Sequence, residues 1–364
     1  MNKLPKNWQE YKLKDLCVIN YGKGLGKSNI VNGNIPVYSS GGIIGFHNTY
    51  NVNSEGVIIG RKGNAGSVFY SDKPFFCIDT AFYIEPNNQY DLKYLFYKLV
   101  SMNLKNHKTG TAIPGLIRND IYKLSISIPP LDEQKRIASA LSKIDAYLEN
   151  TIKLIEEKER FKRGIAKKLL TCKEGENIPE ARFKDFEDEW ETKTLNSISN
   201  IKKGEQKNKL DLIADGKYPV LNGGMNFSGY CNSYNREANT ITISEGGNAG
   251  YVNFIKEKFW SSGHCYTLHD LKIDKYFLYQ CLKNSEKRLM KLQLGTALKN
   301  IRQSEIVEFE LNIPKSIKEQ EKIGGYLSLL DEEIDNLKKQ KELIKEMKRG
   351  AMQKLLSGEV RLLE

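Results

Sequence analysis

An internal duplication constrains this chain more than any other feature of its sequence. Trp8 returns as Trp190, 182 residues later, and the Gly-Asn-Ala-Gly motif at Gly63–Gly66 returns as Gly247–Gly250, 184 residues later. Other shared motifs keep the same order, so chance is a poor explanation. The period is far longer than the roughly 20 to 45 residues of a solenoid repeat. The 364 residues therefore form one structural unit that is used twice.

The first part of each half has the composition of short strands joined by turns. It is rich in Gly, Asn, Ser and Tyr, and it contains β-branched runs such as Val57–Ile59 and Ile241–Ile243. Such runs, bounded by Gly and Asn, indicate strands. Apolar spacing near 91–104 and 273–290 predicts one amphipathic helix in each half. Each half thus begins as a mixed α/β domain.

The second part of each half predicts a single long helix. Residues 131–171 and 317–357 are rich in Glu, Lys, Leu and Ile, with no Pro and few Gly. Apolar residues recur there at alternating intervals of four and three, which is the pattern of a coiled-coil seam. The predicted seam residues are Ile137, Leu141, Ile144, Leu148 and Ile155 in the first helix, and Ile323, Leu327, Leu330, Ile334, Leu337, Ile344 and Leu355 in the second.

The two long helices are expected to pair with each other in antiparallel orientation. Each would be roughly 60 Å long. The linker 172–183 reaches at most about 40 Å, which is too short to return along a helix of that length. The alternative is that each helix packs on its own globular domain.

The predicted fold class is α+β, with two similar globular α/β domains that are each followed by a long helix. The helices would form an antiparallel coiled coil, and a pseudo-two-fold repeat would relate the halves. The predicted boundaries are 1–128 and 184–313 for the globular domains, 129–171 and 314–358 for the helices, and 172–183 for the linker.

Composition excludes several classes of protein. The formal net charge is +11, which suits a polyanionic partner. No apolar run approaches the roughly 20 residues that cross a bilayer, and the first residues lack the apolar segment of a signal peptide. The six cysteines form no Cys-x-x-Cys pair and the four histidines are scattered. We therefore expect a cytoplasmic protein with reduced thiols and no metal site.

The motifs of several enzymes are missing, so no catalytic residue is predicted. Residues 22–28 end like a phosphate-binding loop, but Tyr21 stands where that loop needs glycine, so we interpret the segment as a basic loop. The chain lacks the Asn/Asp-Pro-Pro-aromatic tetrapeptide of amino-methyltransferases. No Pro precedes Asp, as the Pro-Asp…Glu-x-Lys nucleases require. These absences argue against a self-contained restriction enzyme.

The ends of the long helices resemble those of a known family. The first helix begins at Pro130–Ile137 and the second at Pro314–Ile323, and both segments contain Glu-Gln-x-x-Ile. Both helices end in Lys-Leu-Leu, at Lys168–Leu170 and Lys354–Leu356. Together with the order of domain, helix, domain and helix, these motifs make nearly the whole chain resemble the specificity subunit of type I restriction–modification systems.

The resemblance implies a DNA-binding, non-catalytic protein of host defence with two target recognition domains and two helical spacers. Each recognition domain would read one half of an asymmetric, bipartite site in double-stranded DNA. The helices would dock two methyltransferase subunits, which bind S-adenosylmethionine and methylate adenine, and two restriction subunits could join with ATP and Mg. This prokaryotic chain itself would bind no cofactor. The competing hypothesis is a coiled-coil scaffold whose basic end-domains bind protein.

Base-reading candidates are positions at which the two halves differ. Arg61 aligns with Glu245 next to the shared Gly-Asn-Ala-Gly motif. Because Arg suits guanine and Glu accepts a hydrogen bond from cytosine, we hypothesise that these two residues help to read different bases. The alternative is that both are ordinary loop surface. Asn64 and Asn248 are shared and would instead hold the turn or touch the DNA backbone.

Phosphate contacts would come from basic residues, because they give DNA affinity and its salt dependence. Arg118 and Arg302, which follow a shared Gly-Thr-Ala, would either contact phosphate or pair with an acid inside the domain. Each lysine candidate could equally be an ordinary solvated lysine. The lysine candidates are Lys23, Lys27, Lys62, Lys105 and Lys108 in the first half, and Lys202, Lys203, Lys207 and Lys299 in the second.

Overall fold

The chain divides into two compact units in the computed structural model. Unit 1 comprises Met1–Ile152 and Gln340–Glu364, and unit 2 comprises Lys153–Lys339. Each unit therefore combines one globular half with a part of each long helix. The structure describes residues 5–26, 30–108, 115–173, 175–295 and 299–363.

The described residues of unit 1 form nine strands, three short helices, the beginning of one long helix and the end of the other. The strands are β1 (Gln9–Lys12), β2 (Asn20–Tyr21), β3 (Ile35–Ser39), β4 (Gly42–His47), β5 (Gly56–Gly60), β6 (Val68–Ser71), β7 (Phe76–Cys77), β8 (Ala81–Ile84) and β9 (Ser125–Ile128). The helices are α1 (Leu13–Leu16), α2 (Leu92–Ser101), α3 (Arg118–Tyr122) and the long α4 (Leu131–Leu170), with a 3-10 turn at Leu104–His107.

The described residues of unit 2 repeat this order of elements. The strands are β10 (Glu191–Thr194), β11 (Asn200–Lys203), β12 (Tyr218–Leu221), β13 (Gly229–Cys231), β14 (Thr240–Ser244), β15 (Val252–Ile255), β16 (Trp260–Ser261), β17 (Cys265–His269) and β18 (Glu310–Ile313). The helices are α5 (Leu195–Ile198), α6 (Lys275–Asn284), α7 (Glu286–Met290), α8 (Gln303–Val307) and the long α9 (Ile317–Ser357), with a 3-10 turn at Lys209–Asp211.

The two units have the same sheet topology, which confirms the duplication. Unit 1 has a four-stranded antiparallel sheet of order β2-β8-β5-β6, and unit 2 has the equivalent order β11-β17-β14-β15. Three-stranded sheets of order β4-β3-β7 and β13-β12-β16 each contain one parallel pair. Two-stranded sheets β1-β9 and β10-β18 complete the units.

The central strands are those that the β-branched runs predict. All five residues of β5 are buried, and so are all five of β14. β5 contains the continuous apolar run that is expected of a strand with both faces covered, whereas β14 alternates Thr with Ile and buries its β-branched residues on both faces. The runs at Val57–Ile59 and Ile241–Ile243 were therefore correctly assigned as strands.

The predicted amphipathic helices are α2 and the α6–α7 pair, and both α2 and α6 begin at an aspartate. Asp91 accepts a hydrogen bond of 2.8 Å from the amide of Tyr94, and Asp274 accepts one of 2.7 Å from the amide of Phe277. Each side chain satisfies an amide that has no partner inside its own helix. The equivalent caps fix where each helix starts against its sheet.

The long helices pair in antiparallel orientation, as predicted, and each unit shows this independently. In unit 1, Asp145 of α4 lies 2.5 Å from Lys348 of α9, and the later residue Tyr147 accepts a hydrogen bond from the earlier residue Gln340. In unit 2, Lys162 of α4 lies 2.5 Å from Asp331 of α9, and the earlier residue Lys158 contacts the later residue Glu333 at 2.7 Å. Residue numbers rise along one helix as they fall along the other, which defines the antiparallel arrangement. Lys158, Lys162 and Lys348 occupy positions of the four-and-three spacing, and each pairs with an acidic residue of the other long helix.

The seam residues serve the globular cores as well as the helix pair. Ile137, Leu141 and Ile144 pack in the core of unit 1 together with Leu355, and the core of unit 2 contains Ile323, Leu327 and Leu330 with the end of α4. The first turns of each long helix thus pack on the globular domain that precedes them, as the alternative prediction had it. Of the remaining seam residues, Ile155, Ile334 and Ile344 are buried, and Leu148 and Leu337 are half-buried.

Candidate nucleic-acid interface

One edge of the four-stranded sheet in unit 1 carries a compact group of basic and aromatic side chains. The guanidinium of Arg61 lies 4.9 Å from the ring centre of Tyr21, and that of Arg118 lies 4.6 Å from the same ring. Tyr21 also meets Phe82 edge-on at 5.0 Å. Contacts of this kind between a cation and an aromatic ring are attractive. The guanidinium groups of Arg61 and Arg118 therefore both contact the ring of Tyr21.

Backbone hydrogen bonds fix this arrangement. Tyr21 of β2 pairs with Phe82 of β8, and Arg61 follows the last residue of β5, the next strand in the sheet. The amide of Leu116 donates to the carbonyl of Arg61 at 2.8 Å, which brings the start of α3 to this edge. Arg61 also donates from Nη1 to the carbonyl of Asp79 at 3.1 Å. Its guanidinium is held by neighbours that are distant in sequence.

The equivalent edge of unit 2 is built around a carboxylate. Glu245 Oε1 accepts hydrogen bonds of 2.6 Å from Lys203 and 3.0 Å from the hydroxyl of Tyr266. Glu245 Oε2 lies 3.5 Å from His264 Nδ1. The side chain of Glu245 is 13% exposed, whereas that of Lys203 is 48% exposed. Burial beside Glu245 raises the pKa of Tyr266, which therefore remains a hydrogen-bond donor.

The equivalence of the two edges corrects one part of the sequence alignment. Ile301 donates to the carbonyl of Glu245 at 2.9 Å, as Leu116 does to Arg61, so Ile301 is the counterpart of Leu116. Arg118 begins α3 and Gln303 begins α8, so these two are equivalent, and the alignment of Arg118 with Arg302 was wrong by one residue. Spacing from the shared Gly-Thr-Ala gives the same result, because Arg118 lies eight residues after Gly110 and Gln303 lies eight residues after Gly295. The error came from matching arginine with arginine.

We call these equivalent positions the edge cluster. Its members in unit 1 are Tyr21, Arg61, Phe82 and Arg118, and those in unit 2 are Lys203, Glu245, Tyr266 and Gln303. Gln303 donates to the carbonyl of Ile201 at 3.0 Å, as Arg118 donates to the carbonyl of Ile19 at 3.4 Å. The backbone of the edge cluster is therefore shared, and the four side chains differ at every position.

The shared Gly-Asn-Ala-Gly motif forms the turn beside each edge cluster. Asn64 and Asn248 are exposed, and the amide of Asn248 donates to the carbonyl of Gly223 at 3.1 Å. Gly66 has a φ of +83°, and a Cβ placed there would lie 2.5 Å from the amide nitrogen of Lys105. The motif thus keeps the turn tight against the 3-10 turn at Leu104–His107.

The other basic candidates have varied positions. Lys23, Lys62, Lys105, Lys108, Lys202, Lys299 and Arg302 are exposed. Lys62 forms an isolated bridge with Gly115, close to Arg61, and Lys207 lies 3.8 Å from the ring centre of Trp260. Lys27 lies outside the described residues. Lys62 thus adjoins Arg61 in the sequence of unit 1, and Lys203 is itself a member of the edge cluster in unit 2.

The Glu-Gln motif at the start of each long helix has a structural role that spacing did not reveal. Gln134 is 1% exposed; it accepts from the amide of Asp91 at 2.9 Å and donates to the carbonyl of Pro129 at 2.8 Å. Gln320 does the same with Asp274 and Pro314, at 2.9 and 2.8 Å. The preceding glutamates are also buried, and each accepts two hydrogen bonds from one arginine. The only sequence signal was that the Glu-Gln pair occurs twice.

Two further observations limit the chemistry of the described part of the chain. Among these residues there is no group of three or more His, Cys, Asp or Glu side chains that could hold a metal ion. None of the helices described is both long and apolar enough to cross a membrane.

Burial raises the pKa of the Cys17 and Cys77 thiols to about 12, so both are unreactive at neutral pH.

Comparison with known families identifies the duplicated unit. Residues 5–157 and again 187–346 match the family described as the type I restriction modification DNA specificity domain. The chain belongs to this type I specificity family. The two matches coincide with the two repeats, so each half of the chain contains one DNA specificity domain.

Individual type I specificity proteins share parts or most of the chain. A protein of Mycoplasma pneumoniae that is named as a type I specificity subunit is 40% identical over 151 residues, which is 41% of this chain and 40% of that protein. The chain thus matches less than half the length of that relative. A type I restriction enzyme specificity subunit of Methanocaldococcus jannaschii is 27% identical over 342 residues, covering 85% of this chain and 80% of that one.

Solved structures of this family share the fold. The crystal structure of a type I restriction–modification S subunit from M. genitalium superposes with a TM-score of 0.76 at 24% identity and covers 97% of both chains. A chain from a structural study of complex assembly in the type I system gives a TM-score of 0.56 at 14% identity. The α+β architecture with long helices is therefore that of known S subunits.

Proposed function

We propose that this chain is the non-catalytic DNA specificity subunit of a type I restriction–modification complex and reads an asymmetric, bipartite site. The observation that carries the proposal is the pair of edge clusters, which have one backbone arrangement and different side chains. A protein that reads two different half-sites needs a common scaffold with different donors and acceptors on it. The presence of two copies of the DNA specificity domain in one chain supports this proposal.

The long helices are the proposed docking surface for two methyltransferase subunits. Several large apolar side chains on these helices are exposed, including Phe161 at 53% and its repeat equivalent Met347 at 50%. Leu343 and Leu329 are each 66% exposed. Leu343 and Met347 lie four residues apart and therefore share one face of α9. Exposed apolar side chains that adjoin in this way favour a protein partner over water. In this proposal S-adenosylmethionine is bound by the methyltransferase subunits, and ATP and Mg are bound by any restriction subunits that join.

The experiment is selection of duplex DNA by the intact complex. The chain is co-expressed with the methyltransferase subunit of its system, purified, and incubated with a randomised double-stranded library at low and at physiological salt. We expect a bipartite consensus, and methylation of adenine within it only when the methyltransferase subunit is present. Retention of DNA without any consensus would contradict the proposal. Such a result would favour the coiled-coil scaffold with protein-binding end-domains.

A further inference from the structure

We propose that the edge clusters determine the base read by each unit, with Arg61 as the base-contacting residue of unit 1 and Lys203 as that of unit 2. The inference rests on the proposed function and adds the residues that carry it. It also assigns Glu245 a different role from Arg61, although the two residues are equivalent in the repeat.

The backbone around the edge clusters is the same in both units. The carbonyls of Arg61 and Glu245 accept hydrogen bonds of 2.8 and 2.9 Å from the segments that lead into α3 and α8. Their amides donate to the carbonyls of Thr80 and His264, both at 2.9 Å. Side chains that differ on one rigid backbone alter binding chemistry without altering the fold. This is the arrangement expected of positions that determine specificity.

Arg61 is suited to reading guanine. Its guanidinium has five N–H donors in a planar fork, and the contact with Asp79 uses Nη1. Stacking over Tyr21, which is 46% exposed, holds the fork at the surface. Guanine presents two acceptors, O6 and N7, that such a fork matches. Holding the side chain before DNA binds also reduces the entropy lost on binding.

Arg118 supports this arrangement from inside the unit. It lies on the same Tyr21 ring and donates to the carbonyl of Ile19. Because its guanidinium lies against the Tyr21 ring and donates to the Ile19 carbonyl, we assign Arg118 the role of positioning Tyr21.

In unit 2 the carboxylate is already engaged. Glu245 is largely buried, and its Oε1 already accepts from Lys203 and Tyr266. Its Oε2 lies 3.5 Å from His264 Nδ1 and is buried without a hydrogen-bond partner among the described residues, so it is not exposed to a base. Direct acceptance from a cytosine would disturb this network. Lys203 is nearly half exposed, and its ammonium has two further donors after the bond to Glu245. Lys203 therefore offers donors to a guanine acceptor, and Glu245 orients it.

The test is the DNA selection described above, applied to variants of the chain in its methyltransferase complex. Arg61→Lys keeps the charge but removes the planar fork of donors. It should reduce the preference for guanine at one position of one half-site by about tenfold to a hundredfold. Lys203→Met should do the same at one position of the other half-site. Glu245→Gln should affect that same position, and the double variant should lose no more than Lys203→Met alone.

A matched control is available in unit 2. Lys193 and Glu191 form an exposed pair at 3.2 Å on β10, so Lys193→Met and Glu191→Gln make the same chemical changes at another site. Both controls should leave the consensus unchanged. Lys203→Arg tests the same exposed position if Glu245→Gln does not fold.

The possible outcomes separate the inference from the proposed function. If the unaltered complex selects no consensus, the proposed function fails. If it selects one and neither Arg61→Lys nor Lys203→Met changes it, the inference is overturned. A change caused by Glu245→Gln at a position that Lys203→Met leaves intact would also overturn it, because Glu245 would then read the base itself. Equal loss of affinity for all sequences would show that these residues contact only phosphate and would overturn the inference.

Discussion

The carboxylate of Glu133, 2% exposed, accepts two hydrogen bonds of 2.7 Å from the guanidinium of Arg361, which lies 228 residues further along the chain. Unit 2 contains the same pair between Glu319 and Arg182, with both bonds at 2.8 Å. In each case the arginine follows the end of one long helix and the glutamate lies at the start of the other. The segment that follows each long helix is therefore bound to the start of the other long helix by a buried, bidentate ion pair.

Replacing Arg361 with Met should destabilise unit 1 strongly, because Glu133 would remain buried without a partner. A buried ion pair that loses one member costs about 3 to 5 kcal/mol. The measurement is the free energy of unfolding by urea, with fluorescence and circular dichroism as probes. Lys123→Met breaks the exposed Lys123–Asp120 pair and should cost less than about 1 kcal/mol. Similar losses in the two variants would contradict the assigned role of the buried pair.

Gln134→Leu should cost about 2 kcal/mol of stability, because it leaves the amide of Asp91 and the carbonyl of Pro129 without their buried partner. Gln134→Glu should also destabilise, because a carboxylate cannot donate to the Pro129 carbonyl. Gln353 is exposed on α9, so Gln353→Leu is the control and should have little effect. A neutral Gln134→Leu variant would mean that water replaces the side chain.

Gly66→Ala should be destabilising by roughly 1 to 3 kcal/mol, since it combines a left-handed backbone with a steric clash. The added Cβ would lie 2.5 Å from the Lys105 amide nitrogen, and φ is +83°. Gly24 has open space around its Cα, so Gly24→Ala is the control. Thermal unfolding of the two variants measures the difference, and a melting temperature that falls equally in both would refute the packing argument.

Lys98 should contribute stability that rises with pH above about 8, opposite in sign to the contribution of the buried Cys17 and Cys77 thiols. Burial lowers the pKa of Lys98 to about 8 from its usual 10.5, and its Nζ donates to the carbonyl of Leu356 at 2.6 Å. Between these values the unfolded state binds more protons than the folded state, so raising the pH favours folding. From pH 7 to pH 10 the contribution of Lys98 should grow by roughly 2 kcal/mol. Denaturant titrations at each pH measure it as the difference in unfolding free energy between the unaltered protein and Lys98→Met, and a difference that does not change with pH would contradict the prediction.

Lys62→Met should weaken DNA binding about equally for all sequences and reduce the slope of log K against log salt by about 0.9. Lys62 is exposed and lies next to Arg61 at the edge cluster of unit 1. Binding isotherms at several salt concentrations give the slope. Lys14→Met, at another exposed lysine of the same unit, is the comparison. An altered consensus sequence in Lys62→Met would instead show that Lys62 contacts a base.

Much of the fold could be predicted because its signals are local. The stretches with few Gly and no Pro, with apolar residues at intervals of four and three, gave the helices that the structure shows at Leu131–Leu170 and Ile317–Ser357. The β-branched runs gave β5 and β14. The reach of the linker gave the antiparallel orientation of the helices. Each of these inferences depends on neighbours within a few residues or on the length of the chain.

Less of the candidate site could be predicted from the sequence. Arg61 and Glu245 were correctly paired, but their environments are opposite, since one lies on Tyr21 and the other is enclosed by Lys203 and Tyr266. The roles of Tyr21 and Lys203 at the edge clusters come from strand pairing across about sixty residues. The alignment of Arg118 with Arg302 was wrong because it matched like residues instead of keeping the spacing from the shared Gly-Thr-Ala.

The sequence by itself determined that one domain-plus-helix unit is used twice, because periodicity and composition are properties of the chain. Only the tertiary structure decided which side chains meet. Glu133 and Arg361 are far apart in sequence, and no local pattern predicts that one is buried against the other. A charged side chain is either exposed to DNA or paired with a neighbouring side chain, and desolvation and contact geometry decide which. Both arise only when distant strands and helices pack together.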